Sequence, residues 1–226
     1  MPAGAGPDPI GIFGGTFDPI HYGHLRLAQE LATGLRLRQI RFIPAGHPPH
    51  RSEPCVSSLH RLEMARLAIA GNPSFALDDR EISRPGPCYT VDTLTELRRE
   101  LGPDQPLCLL MGADAFLGLT TWHRWQELFD LAHVAVAHRP GFPQVTWADG
   151  MPDVLRRELR QRLRENGHLL HRSAAGSIFA HTITPLDISA THIRNGLAAG
   201  HSPRYLLPDA VLDYIQSKGL YTVAAK

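Results

Sequence analysis

Short, almost wholly apolar runs alternate along this chain with longer stretches in which apolar residues recur every three or four positions. The runs beginning at Ile10, QIRFIPA from Gln39, PLCLLMGAD from Pro106 and HVAVAHRP from His133 read as strands. Continuous apolar runs of this length suit strands buried on both faces. FALDDREI, from Phe75 to Ile82, reads as a further strand. Between them, a stretch around His24 to Thr33, then LHRLEMARLAIA and VDTLTELRREL, carry helical periodicity. Strand and helix in alternation predict an α/β fold with a parallel sheet. In such sheets ligands bind at the carboxyl ends of strands, near the point where strand order reverses.

The pattern weakens from Gly141 to Ala180. RPGFPQVTWADGMP is loop-like, and DVLRRELRQRLREN is a strongly charged helix with an apolar stripe at Leu155, Leu159 and Leu163. Such a helix is ordinarily a solvated face, and a contact between copies in a homo-oligomer is the alternative. Residues 1–9 read as a disordered tail and 10–226 as one domain, with a C-terminal helical part from about 186 onward.

Composition bounds this picture without choosing a function. With 226 residues, 43% of them hydrophobic, the chain can bury a sizeable core as one domain. A formal charge of +1 gives no argument for a nucleic-acid or membrane partner, so any anion site must be built from locally placed groups. Cys55, Cys88 and Cys108 are odd in number and widely spaced, matching neither a disulfide framework nor a metal site. The opening MPAGAGPDP has neither the basic nor the apolar part of a signal peptide, and a cytoplasmic, reduced protein is expected.

The first candidate for chemistry is GIFGGTFDPIHYGH, from Gly11 to His24. Gly14 and Gly15 would let backbone N–H groups approach an anion closely, and the helix start that follows adds unpaired donors and a partial positive charge. Pro19 suits a first helical turn. His21 and His24, three apart, would share one helical face in that turn. The glycine spacing fits neither the dinucleotide fingerprint nor the P-loop. Two histidines without a third ligand are a weak zinc signal, and a glycine-rich turn followed by solvated histidines is the plain alternative.

A second candidate, ISATHIRNGLAAG, runs from Ile188 to Gly200. Ser189 is suited to an N-cap, Ile193 and Leu197 repeat at helical spacing, and Gly200 suits a stop. Ser189, Thr191 and Arg194 would offer hydroxyl and guanidinium donors to phosphate oxygens. An ordinary capped surface helix explains the same pattern.

Together GGTFDPIHYGH and ISATHIR resemble the two signatures of the nucleotidyltransferase superfamily with the HxGH motif. IPAGHPPHR (43–51), CYTVDTL (88–94), LLMGADAF (109–116), TWHRW (121–125) and the closing YLLPDAVLDYIQSKGLY narrow the resemblance to the bacterial nicotinate-mononucleotide adenylyltransferases, from Ile10 to about Tyr221. The resemblance implies a Rossmann-like, doubly wound parallel sheet with flanking helices. It also implies an adenylyl transfer from ATP to nicotinate mononucleotide, with Mg²⁺ held mainly by the ATP phosphates.

In that reaction the incoming phosphate is itself the nucleophile, so catalysis rests on alignment and on charge stabilisation at the α-phosphorus. By resemblance, His21 and His24 contact ATP phosphates, Arg194 with Ser189 and Thr191 grips the β/γ end, and Gly14, Gly15, Thr16 and Phe17 form the cradle. Gly112 permits close approach and Asp114 accepts from ribose hydroxyls; an Asp capping the next helix is the alternative. Trp122 resembles the ring that stacks on the pyridine, although a core role is the commoner fate of tryptophan. Thr90 and His123 stand where backbone N–H groups meet the nicotinate carboxylate, His123 replacing a frequent tyrosine. Arg51, in place of a frequent lysine, and Arg139 are candidate phosphate ligands. His47 and His50 flank a Pro/His loop that reads as a mobile lid. A different phosphate acceptor, nicotinamide mononucleotide or phosphopantetheine, is the rival within this class. A nucleotide-sensing module without turnover is the rival outside it.

Overall fold

Residues 7–47, 53–138 and 150–222 are described by the structure, a computed structural model. Within them a single six-stranded sheet runs in the order β3-β2-β1-β4-β5-β6, and every pairing is parallel. The strands are β1 (Ile10–Gly15), β2 (Gln39–Pro44), β3 (Phe75–Leu77), β4 (Leu107–Gly112), β5 (His133–His138) and β6 (Ile178–Thr182). From β1 the chain moves outward to β3, then returns to the other side of β1 for β4 and continues to β6. The strand order therefore reverses between β1 and β4, whose register pairs Ile12 with Leu109. Their carboxyl ends, Gly15 and Gly112, flank the crevice that such a reversal opens.

The helices are α1 (Tyr22–Gly34), α2 (Ser58–Ile69), α3 (Thr90–Leu101), α4 (Ala113–Leu117), α5 (Leu128–Leu131), α6 (Asp153–Arg162), α7 (Ala190–Ala198) and α8 (Asp209–Ser217). Strand residues alternate between two core layers, as the pleat requires. Ile10, Ile12, Leu107, Leu109, Met111, Val134 and Val136 face the layer built by α3, α5 and α6. Phe13, Cys108, Leu110, Ala135 and Ala137 face the layer built by α1, α2, α7 and α8. The C-terminal helices thus pack on the body of the sheet through Ile193, Val211, Leu212 and Ile215.

The Rossmann-like order matches the expected fold class, and three local outcomes refine the reading. FALDDREI is a strand only from Phe75 to Leu77. Asp78 ends it, because its carboxylate accepts from the Arg80 backbone N–H at 3.2 Å and from Arg80 Nε at 2.8 Å, which draws the chain into a turn. The strand Ile178–Thr182 begins within the last residues of the stretch where periodicity weakens and runs two residues past it. In α6 the apolar stripe is used: Leu155 and Leu159 are buried in the core, and Arg162 lies over the Phe129 ring, 4.8 Å from its centroid. Asp8 and Pro9 are tied to the body, their carbonyls accepting from Gln105 Nε2 and the Arg38 N–H. No helix among the described residues is long and apolar enough to cross a membrane.

Close backbone approach sets one strict requirement beside the crevice. A Cβ on Gly46 would stand 2.0 Å from the carbonyl oxygen of Glu81, a backbone atom that cannot swing away. Gly46→Ala should therefore lower unfolding free energy by about 2 kcal/mol or more, read from denaturant titration. Wild-type stability in that variant would mean that the two loops do not meet as described.

Candidate active site

The cradle begins where β1 ends. Past Gly15 the chain turns through Thr16 to Ile20 and enters α1 at Tyr22, with His21 as the extended N-cap residue (φ −148°, ψ 171°). Only His24 is therefore inside the first helical turn, and Pro19 precedes the helix instead of opening it. An N-cap residue keeps non-helical dihedrals, which swings His21 back over the helix end. The two rings stack with centroids 3.7 Å apart and 26° between planes. The His21 N–H donates to His24 Nδ1 at 3.2 Å, so a neutral His24 carries its proton on Nε2. Gly23 makes room for this stack, since a Cβ there would lie 3.0 Å from His21 Nδ1 and Cε1.

His21 is only 6% exposed. Burial lowers its pKa from 6.5 to about 4, so the ring is neutral near pH 7. Its Nδ1 is buried with no hydrogen-bond partner among the described residues. Phe17 adopts a left-handed backbone (φ 50°) and folds its ring beneath Gly15, where a Cβ would come within 2.8 Å of it. That ring is buried and stands edge-on to His24, with centroids 5.2 Å apart, so its side chain supports the cradle from below. Gly14 is exposed, and Gly15 and Thr16 are half-buried.

The second motif meets the first through one arginine. Ser189 caps α7, its hydroxyl accepting from the His192 N–H at 3.2 Å. Arg194 Nη1 donates to the Asp18 carbonyl at 2.7 Å, and Nη2 donates to Thr191 Oγ1 at 3.3 Å. Two of the five guanidinium donors thus hold the side chain against the β1–α1 turn. Thr191 serves here as a support for Arg194, and the Ser189 oxygen is committed to its cap.

The middle of the chain supplies the other half of the crevice. Gly112 ends β4 and caps α4, with Asp114 exposed in its first turn. Thr90 is the first residue of α3, where a backbone N–H has no acceptor within the helix. His123 lies against the preceding residue, its ring 4.4 Å from that of Tyr89, and Arg124 pairs with Asp92 at 3.6 Å. Thr90 and His123 are therefore brought together from distant sequence. Trp122 is half-buried and packs on the α3 side of the core. Arg51, His50 and Arg139 lie outside the described residues; His47 lies inside them and is exposed.

Sequence reading missed three groups beneath the cradle. Arg61 on α2 is 1% exposed, and its guanidinium donates to the carbonyls of Thr16 at 2.8 Å and Gly46 at 3.0 Å. It ties the loop after β1 to the loop after β2. The signal was present, because Arg61 falls on the same helical stripe as buried Met64, Ala65 and Ile69. Asp18 is also buried, and Tyr221 donates to its carboxylate at 2.6 Å. Nothing local announces that contact, which spans most of the chain.

A family model described as cytidylyltransferase-like matches residues 12–196. A Dechloromonas aromatica protein described as a probable nicotinate-nucleotide adenylyltransferase is 56% identical over 214 residues, which span 95% of this chain and 98% of that protein. One of the same description from Acidithiobacillus ferrooxidans is 51% identical, spanning 95% and 96%. Among solved structures, the Plasmodium falciparum nicotinic acid mononucleotide adenylyltransferase complexed with NaAD superposes with a TM-score of 0.71 at 19% identity, covering 95% of this chain and 98% of that one. That likeness bears on the fold.

Two expectations follow from the buried groups. An unfolded histidine takes up a proton near pH 6.5 whereas His21 does so near 4, so its contribution to stability is complete above about pH 6.5 and is lost as pH falls toward 4. Comparing wild type with His21→Asn by denaturant unfolding at pH 7.5 and 4.5 should show wild type losing about 2–3 kcal/mol more on acidification; equal losses would refute the burial argument. Arg61→Met should cost about 3 kcal/mol or more in the same assay, since it strips the buried Gly46 carbonyl and the partly buried Thr16 carbonyl of their donor. Arg61→Lys, keeping the charge, should fall between.

Proposed function

Because this chain belongs to the cytidylyltransferase-like family, and within it to the nicotinate-nucleotide adenylyltransferases, we propose that alignment and fixed charge in the crevice described above carry its reaction. It joins nicotinate mononucleotide to the adenylyl group of ATP, giving nicotinate adenine dinucleotide and pyrophosphate, a step of NAD synthesis. A phosphate oxygen of the mononucleotide forms the new bond to the α-phosphorus of ATP. The bond from that phosphorus to the bridging oxygen breaks, and pyrophosphate leaves with the electron pair.

The residues then divide the work. Backbone N–H groups at Gly14, Gly15 and Thr16, with the start of α1, receive the triphosphate. His24, its proton on Nε2, donates to a phosphate oxygen, and neutral His21 stacks beneath to hold that ring in place. Arg194 supplies a permanent positive charge to the departing β/γ end, beside the start of α7 with Ser189 and Thr191. Such donors act without reorganising as charge develops, which is where electrostatic catalysis is strongest. Asp114 accepts from ribose hydroxyls, and Gly112 admits the nucleotide to the end of β4. Trp122 stacks on the pyridine, while the Thr90 and His123 backbone N–H groups meet its carboxylate. Arg51 and Arg139 complete the phosphate contacts of the mononucleotide.

We read Mg²⁺ as entering with ATP. The cradle is made of N–H groups and imidazoles, and the Asp18 carboxylate is turned inward, so a hard dication finds its oxygen ligands on the triphosphate. Bound there, the ion would supply neutralising charge to the departing pyrophosphate. We read the enzyme as cytoplasmic, a reading supported by its use of ATP and a free mononucleotide and in keeping with the free thiols of Cys55, Cys88 and Cys108.

One observation carries this reading: Arg194 of the second motif reaches the Asp18 carbonyl of the first at 2.7 Å, so both anion-binding termini address one place. His24→Ala should reduce pyrophosphate release by at least about 10²-fold with the fold intact, and turnover at the wild-type rate would remove His24 from the mechanism. A comparison of kcat/KM should favour nicotinate over nicotinamide mononucleotide; parity between them would overturn the assignment of Thr90 and His123.

A further inference from the structure

Asp18 lies in the turn between β1 and α1, and both of its carboxylate oxygens are taken up by donors of the protein itself. Oδ1 accepts from the Tyr221 hydroxyl at 2.6 Å and Oδ2 from the Cys55 backbone N–H at 2.8 Å, and the residue is 6% exposed. Its main-chain carbonyl, on the same Cα, is the acceptor that holds Arg194. Fixing the carboxylate from two sides fixes the residue, and with it the direction of that carbonyl.

We propose that Tyr221 is a positioning residue for Arg194, acting through Asp18. The inference rests on the reading of Arg194 as a phosphate ligand and goes beyond it, because Tyr221 touches no substrate. The aromatic ring packs beside the apolar layer that α1, α2, α7 and α8 share, so the ring supplies burial and the hydroxyl supplies direction. Burial first, then the anionic partner, raises the phenol's pKa, so it remains a donor throughout the working range. The neighbouring chain is held as well: the Tyr22 N–H donates to the Leu206 carbonyl at 3.0 Å, and His60 meets the Tyr214 hydroxyl at 2.8 Å. The C-terminal segment is therefore a strut that carries its anchorage into the cradle.

Tyr221→Phe isolates the hydroxyl, since the ring and its packing stay. It should lower kcat about tenfold while leaving KM for the mononucleotide within about twofold, because a displaced guanidinium weakens charge stabilisation at the β/γ end and not mononucleotide binding. In an Arg194→Ala background the same change should alter kcat by less than about twofold, the signature of two residues acting as one unit. A purely structural tyrosine would give the same factor in both backgrounds, and that result, or wild-type kcat in the single variant, overturns the proposal. Should Tyr221→Phe fold poorly, Asp18→Asn must show the same dependence on Arg194. If the wild-type chain releases no pyrophosphate from ATP and nicotinate mononucleotide, the reaction reading fails. The positioning is then read from affinity for a non-hydrolysable ATP analogue, which Tyr221→Phe should weaken only when Arg194 is present.

Discussion

A single buried carboxylate organises this site. Asp18 joins the turn after β1 to the segment at Cys55, to α7 through Arg194 and to the C-terminal segment at Tyr221. An anion withdrawn from water is tolerable only where donors surround it, so each of those segments is drawn to the same point by the cost of leaving it unpaired. Arg61 adds a buried positive charge nearby, itself held by two main-chain carbonyls. The cradle is consequently braced from behind by polar contacts, while its front presents backbone donors and imidazoles.

Charge is distributed with the chemistry in mind. The chain is close to neutral as a whole, so the proposed reaction requires that attraction for a polyanion come from a few groups at one end of the sheet. A protonated pair of stacked histidines would repel itself, and burial of His21 avoids this by keeping that ring uncharged. In the proposed reaction the positive charge is left to Arg194, a guanidinium with donors to spare beyond those that hold it. In the proposed reaction hydrogen-bond direction comes from His24 on α1 and charge from Arg194 on α7, whose side chain reaches the turn before α1 at the Asp18 carbonyl.

The sheet explains why these groups meet at all. β1 and β4 are adjacent and parallel, with the chain leaving in opposite senses, so the turns after Gly15 and Gly112 splay apart and leave a groove between them. Glycine is needed there for concrete reasons: the Phe17 ring occupies the space of a Gly15 side chain, and the His21 ring occupies that of Gly23. Core packing and ligand access are settled by the same residues.

Periodicity and composition alone reach the α/β class and most strands and helices, and single out the two segments that meet at the Asp18 carbonyl, because apolar runs and glycine or cap residues act locally. They overshoot at Asp78, where a side-chain hydrogen bond ended a strand, and pass over β6, whose short run is strand-like only when β5 lies beside it. His21 was read as helical because spacing shows which residues are near one another but not which of them caps. The roles of Asp18, Arg61 and Tyr221 belonged wholly to the tertiary structure: Tyr221 meets Asp18 across 203 positions, and only burial converts a hydroxyl and a carboxylate that distant into a necessary pair.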